Sequence, residues 1–232
     1  MKLVCMADNH GQFDGLEIPD GDVFIHAGDF SNWGTVKEAH QFACWLDDLP
    51  HERKIVVPGN HDRFAQECPI GFLQIMSDVR GLHVLKDTSC MIDDVLFFGS
   101  PYTPEFCNWS FMYPRGRGHE HWDKIPAGTN VLITHGPPYG RLDFVNQPDG
   151  MHAEYRRDRD HVGCNELRNR VQELQNVKSN YPHHMDLKLH VFGHIHECGG
   201  QVEPGGYGET TFANVSLLKP DGTLCKPLVI EI

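Results

Sequence analysis

With 232 residues, 40% apolar and 22% charged, the chain has the profile of a soluble globular protein able to bury a sizeable core. Its formal net charge of −12 disfavours a long polyanion held along a basic groove, yet leaves a small phosphorylated substrate open, because bound cations reverse the field locally. Met1 leads directly into an apolar strand, no apolar run nears the roughly 20 residues of a membrane span, and the eight cysteines are scattered without Cys-x-x-Cys spacing, so the expectation is a cytoplasmic chain of reduced thiols with neither export signal nor membrane anchor.

In chain order, Leu3–Ala7 reads as a buried strand ending in Asp8-Asn9-His10, and Val23–Ala27 as a second ending in Gly28-Asp29. Thr35 is placed to cap a helix through Asp48, since Val36, Ala39, Phe42, Ala43 and Leu46 fall at helical spacing. Strand Lys54–Val57 ends in Gly59-Asn60-His61-Asp62, and a broken helix carrying Phe64, Phe72 and Ile75 is expected after it. Short strands follow at Leu82–Leu85, Cys90–Ile92 and Val95–Gly99, the last two joined by a hairpin turn at Asp93-Asp94. From Ser100 to Gly118 the chain is irregular and aromatic. Strand Asn130–Thr134 then leads to His135-Gly136, and Gly140–His161 reads as a long charged loop. A helix is expected over Asn165–Lys178 and a strand over Leu187–Phe192, the latter ending in Gly193-His194-Ile195-His196. Hairpin pieces Gln201–Glu203 and Thr210–Asn214 and a terminal strand Pro227–Ile232 complete the chain, with no repeat or linker to divide it.

Each strand-end motif has an ordinary explanation by itself. Gly-Asp is a common turn dipeptide, a strand-end Asp often caps a turn, and Asn60 or Asp62 could start a helix. Gly193-His194-Ile195-His196 is the strongest element, because histidines two apart on extended backbone point the same way. Five such motifs, each closing a buried strand, read together as one site: oxygen and nitrogen donors at strand ends converge where sites form in open α/β sheets.

In this order the motifs resemble the calcineurin-like metallophosphoesterase family, whose pattern is Asp-x-His, Gly-Asp, Gly-Asn-His-Asp/Glu, a strand-end His and Gly-His-x-His. A closer likeness, to the small metallophosphodiesterase-domain proteins described in brain and their bacterial relatives, is carried by Gly99-Ser100-Pro101-Tyr102, His135-Gly136-Pro137-Pro138, Gly163-Cys164-x-Glu166-Leu167 and His190 to Glu197. The resemblance covers essentially the whole chain as a single domain, residues 1–232. It implies an α/β fold of two facing mixed β-sheets flanked by helices, a four-layer α/β/β/α sandwich with metals at one edge. It also implies two divalent metal ions. Asp8, His10, Asp29 and His196 would hold one, and Asp29, Asn60, His135 and His194 the other, with Asp29 bridging and His61 beside the metals without ligating them.

The chemistry suits those residue types. Two cations about 3.5–4 Å apart can share a hydroxide and clamp the attacking and leaving oxygens. The mixed N/O shell suits Mn²⁺, Fe or Zn²⁺ better than Mg²⁺ or Ca²⁺. His61 is placed to protonate the leaving oxygen or to hold a phosphoryl oxygen. Asp62 would either fix an imidazole tautomer or cap the following helix.

Arg141, close after the His135 turn, would contact phosphate or remain a solvated loop arginine. Trp109 and Phe111 could stack a base, though packing of the loop onto the sandwich is the preferred reading. Cys164 is a candidate pocket residue, His26 reads as a satisfied core histidine, and His51, His83 and His183-His184 as surface residues. The expected function is hydrolysis of small phosphodiesters, nucleotides and cyclic nucleotides among the candidates. The alternatives are a phosphomonoesterase or protein phosphatase, a nuclease drawing on Arg156-Arg157-Asp158-Arg159, and a non-catalytic scaffold. No long nucleic acid or membrane partner is expected, and oligomeric state is left open.

Overall fold

The computed structural model describes residues 1–145, 161–176, 186–204 and 210–232. Its first sheet is built from β1 (Lys2–Met6), β2 (Val23–His26), β3 (Arg53–Val56), β4 (Leu82–Val84) and β13 (Leu228–Glu231), in the order β13-β1-β2-β3-β4. β1 to β4 run parallel, and β13 pairs antiparallel with β1. The second sheet holds β5 (Thr88–Ile92), β6 (Val95–Ser100), β9 (Val131–Thr134), β10 (Leu189–Phe192), β11 (Gln201–Glu203) and β12 (Thr211–Asn214), in the order β11-β12-β10-β9-β6-β5. Its inner strands are parallel and its two edge strands antiparallel. β7 (Thr103–Pro104) and β8 (Met112–Tyr113) form a small separate pair.

Side-chain alternation explains the layers. Leu3, Cys5, Val23, Ile25 and Ile55 point inward and meet Phe97, Val131, Ile133, Leu189, Val191 and Ala213 of the other sheet. The alternate residues Val4, Met6, Phe24 and Val56 face outward onto α1 (Val36–Asp48) and α3 (Pro69–Met76), through Phe42, Leu46, Phe72 and Met76. On the far side Phe98, Leu132, Phe192 and Phe212 pack on α4 (His119–Trp122) and α5 (Asn165–Asn176), through Trp122, Leu167, Val171 and Leu174. Strands buried on both faces read as continuous apolar runs, which is why they were visible in the sequence.

Local signals behave as expected. Thr35 caps α1 in a full capping box with Glu38. Asp93 and Asp94 both adopt positive φ, as a tight hairpin turn requires. The broken helix is α2 (Arg63–Glu67) followed by α3; Pro69 opens the second piece and forces Cys68 out of the helical region. α4 was not anticipated, because four residues carry too little periodicity. His51 corrects the reading of a surface residue: it is buried, with Nε2 against the Pro19 carbonyl at 3.0 Å. His83 is exposed, and residues 183 and 184 lie outside the described residues, as do 156–159 and the end of the expected helix at 177 and 178. All eight cysteines are free. Among the described residues no helix is long and apolar enough to cross a membrane.

Candidate metal centre

The loops after β1, β2, β3, β9 and β10 all leave the same edge of the sandwich, so each strand-end motif arrives there from its own sheet. Backbone bonds stitch the sheets together at that edge. Ala7 N donates to the Val215 carbonyl (2.9 Å) and Leu217 N to the Ala7 carbonyl (2.9 Å). Asp8, His10, Asp29 and His194 all adopt positive φ, a region that L residues avoid unless their surroundings enforce it. Two glycines permit the close approach. A Cβ on Gly59 would lie 2.2 Å from Asp29 Oδ1, and one on Gly193 would lie 2.1 Å from Asp8 Oδ2.

Asp8, Asp29, Asn60 and His135 are buried; His10, His61, His194 and His196 are half-buried and form the open side. Among the described residues three donor groups arise, each with ligand atoms within 4.8 Å of one another: Asp8, His10 and His196; His10, Asp29 and His61; Asp8, Asp29 and His135. His10 Nε2 faces His196 Nε2 at 3.4 Å, and His196 Nε2 stands 3.6 Å from Asp8 Oδ1. His135 Nε2 meets Asn60 Oδ1 at 2.8 Å and Asp29 Oδ2 at 3.5 Å. Because His135 Nδ1 donates to the Ala27 carbonyl (3.0 Å), Nε2 faces these two oxygens, with a lone pair when the ring is neutral and a proton when it is charged. Asp8 Oδ1 is buried without a hydrogen-bond partner among the described residues. Lone pairs aimed at one another in this way are favourable only around positive charge, and two carboxylates, an amide and neutral imidazoles fit divalent cations.

The protein's own charges lean the same way. Burial alone would raise Asp29, but the imidazoles of His135, His61 and His10 hold its carboxyl below the usual carboxylate range. Against the effect of burial, the Asp29 carboxylate pushes His135 up to about 9. A cation beside Nε2 would take the place of that proton. Burial, helped by His135, pushes His194 down to about 3.

Residues 1–198 match the family model of the calcineurin-like phosphoesterases. The chain belongs to that family. Calcineurin-like phosphoesterases are generally metal-dependent hydrolases and typically bind two metals. Human metallophosphoesterase domain-containing protein 1 is 37% identical over an alignment of 253 residues, covering 100% of this chain and 71% of that protein. One crystal structure superposes with a TM-score of 0.64 at 14% identity, over 92% of this chain and 89% of the other. That of TT1561 from Thermus thermophilus gives 0.57 at 14% identity, over 94% and 91%. At such identity these two show the fold alone, and they agree with the two mixed sheets and flanking helices.

In this calcineurin-like phosphoesterase, the residues of the five motifs gather as their order suggested, with one difference of degree. His194 joins none of the three donor groups. Its backbone N–H donates to Asp8 Oδ2 (2.8 Å), and its ring packs edge-on against His135 with centroids 5.0 Å apart. His61 Nδ1 donates to the Asn32 carbonyl (2.8 Å), since a carbonyl can only accept. Nε2 is therefore the ring atom left for the site.

Asp62 departs from both of its expected roles: it stands at the N-cap of α2 with no side-chain cap bond. Its Oδ2 accepts from Asp29 N (2.9 Å) and Gly59 N (2.7 Å), and its Oδ1 from Ser31 N (3.0 Å) and Ser31 Oγ (2.6 Å). One carboxylate thus ties the β2 loop to the β3 loop. Burial, with Asp29 nearby, pushes it up to about 7.

Arg141 is held away from the cluster, ion-paired to Glu203 and lying over the Phe212 ring at 4.8 Å. Exposed ion pairs contribute little, so Arg141→Ala should change kcat/KM by less than about threefold in a steady-state assay; a loss of roughly 100-fold would place it on the substrate. Cys164 packs in the outer helical layer, where Tyr113 Oη (3.0 Å) and Trp122 Nε1 (3.2 Å) donate to its sulfur, so it does not line the centre. His26 is the satisfied core histidine expected, with Nε2 2.9 Å from Asn9 Oδ1. Phe111 is buried, as the packing reading had it, whereas Trp109 stacks on His61 with centroids 4.2 Å apart. Trp33 was missed; its only sequence signal is an aromatic in the short loop between Gly28-Asp29 and the Thr35 cap.

Proposed function

We propose that this single domain, residues 1–232, hydrolyses small phosphodiesters, nucleotides and cyclic nucleotides among them. Two divalent cations would be held by Asp8, His10, Asp29 and His196 on one side and by Asp29, Asn60, His135 and His194 on the other. The observation that carries the reading is the convergence of six donor side chains from both sheets on one edge, Asp8, His10, Asp29, Asn60, His135 and His196, with their polar atoms facing one another. Bound cations supply Lewis acidity and an activated water there. Mn²⁺, Fe or Zn²⁺ suits the mixed nitrogen and oxygen donors, and the free thiols suit a reducing compartment such as the cytoplasm.

The chain's own groups do the rest. Asp29 offsets the repulsion between two cations and holds the His61 backbone through a 2.7 Å bond from His61 N to its Oδ1. His61 presents Nε2 to the reacting phosphate and, when protonated, donates to the leaving oxygen. Asp62 fixes both loops so that Asp29 and His61 keep their relation. Arg141 is left out, because its guanidinium is already committed to Glu203.

Diesters are preferred over monoesters on charge. A monoester carries about two negative charges near neutral pH against one on a diester. The chain has a net charge of −12, and its nearest expected phosphate arginine is engaged elsewhere. With Mn²⁺ restored to metal-stripped protein, kcat/KM for bis-p-nitrophenyl phosphate should exceed that for p-nitrophenyl phosphate. A reversed order across a substrate panel would make the protein a phosphatase and leave the centre as described.

A further inference from the structure

Beside the metal centre lies a cavity of about 650 Å³ lined by Trp33, His61, Gln66, Asn108, Trp109 and Ser110, together with the exposed Arg63 and Glu67. Its size falls within the range of small-molecule sites. His61 belongs to both places: its ring lines the cavity, and its ligand atom groups with those of His10 and Asp29. The cavity therefore begins where the leaving oxygen of a substrate on the centre would sit.

Its two indoles are unusual in combining exposure with a fixed backbone. Trp33 is 72% exposed and Trp109 41%. Yet Asn32 N and Trp33 N both donate to Glu38 Oε1 (2.9 and 3.0 Å), the same carboxylate that closes the capping box of α1. On the other side Phe64 N donates to the Gly34 carbonyl (3.0 Å). Gly34 has φ +65 and lies so close to α2 that an added Cβ would stand 2.3 Å from Arg63 N. Trp109 is framed likewise: Ser110 N donates to the Asn60 carbonyl (3.2 Å) and Phe111 N to Gln66 Oε1 (2.5 Å).

Large apolar rings held out to water on a tied backbone lose stability unless something covers them, and a planar ring covers an indole best. The charged pair at the rim, Arg63 and Glu67, is satisfied internally at 2.6 Å, so the wall offers π-faces and neutral polar atoms rather than net charge.

We propose that this cavity is a leaving-group subsite for a planar aromatic ring, the nucleobase of a nucleotide ester. It rests on the phosphoesterase reading above and adds what the enzyme selects. Ring binding should not require the cations, so metal-stripped, full-length protein can be titrated with adenosine, phenol and ribose while tryptophan fluorescence is followed. Adenosine should bind and ribose should not. Trp33→Ala should weaken adenosine by about fivefold or more, and Trp33→Phe should restore most of it. Phenol binding as tightly as adenosine would identify the occupant as any aryl group and overturn the nucleobase assignment. Equal adenosine affinity in wild type and Trp33→Ala would overturn the subsite itself.

On reloaded enzyme, Trp33→Ala should lower kcat/KM for a diester that expels a nucleoside and spare one that expels methanol. If monoesters alone are turned over, the diester reading fails, and the same contrast is drawn between adenosine 5′-monophosphate and glycerol phosphate. Equal losses on both members of either pair would again overturn the subsite.

Discussion

Asp29→Ala should strip the protein of more bound metal than either His10→Ala or Asn60→Ala. Asp29 is buried and shared by two donor groups, one with His10 and His61 and one with Asp8 and His135. Its Oδ2 stands 3.5 Å from His135 Nε2 while its Oδ1 accepts the His61 N–H at 2.7 Å. Removing it takes away the group that would join both cations and frees the loop carrying Asn60 and His61. Occupancy measured by mass spectrometry after stripping and reloading should fall toward zero, against partial loss in the two single-side variants; loss of outer partners alone weakens metal affinity by roughly 10–100-fold. Asp29→Asn separates charge from shape, because an amide oxygen can still accept from His61 N. Full occupancy in all three variants would sink the ligand assignment.

His61→Ala should keep both metals and lose kcat by roughly 10²–10⁴-fold, the range for a positioned general acid. The bond from Nδ1 to the Asn32 carbonyl fixes which nitrogen faces the phosphate, and Trp109 stacked on the ring fixes its plane. A p-nitrophenolate leaving group needs little protonation, so its rate should fall less than that of a diester expelling an alkoxide. The competing geometry is also present, since His61 lies within ligand distance of His10 and Asp29. Metal content decides between them: a variant short of one metal, or with equal losses for both leaving groups, would make His61 a ligand rather than an acid.

Much of this fold was legible because its strands are buried on both faces and its helices are amphipathic, so that apolar runs and helical spacing marked both. The gathering of the motifs was legible for a related reason: Asp8, Asp29, Asn60, His135 and His194 each follow a buried strand, and parallel strands end on one side. Distant pairings were not. Nothing near Asp62 in sequence announces that its carboxylate bonds Asp29 N, 33 positions away, nor that Arg141 meets Glu203 across 62 positions. Trp109 and Phe111 sit in one irregular aromatic segment, and only the bond from Phe111 N to Gln66 shows which turns inward and which remains at the cavity.

The division of the centre between two sheets bears on when it can exist during synthesis. A nascent chain that has emerged through the loop after β3 already carries Asp8, His10, Asp29 and Asn60, yet none of the three histidines supplied by the second sheet. Asp8 then has no Gly193-His194 turn to brace it, because the His194 N–H that binds its carboxylate lies 186 residues downstream. Cation capture by the full set would then be a late event, following assembly of the sandwich rather than seeding it.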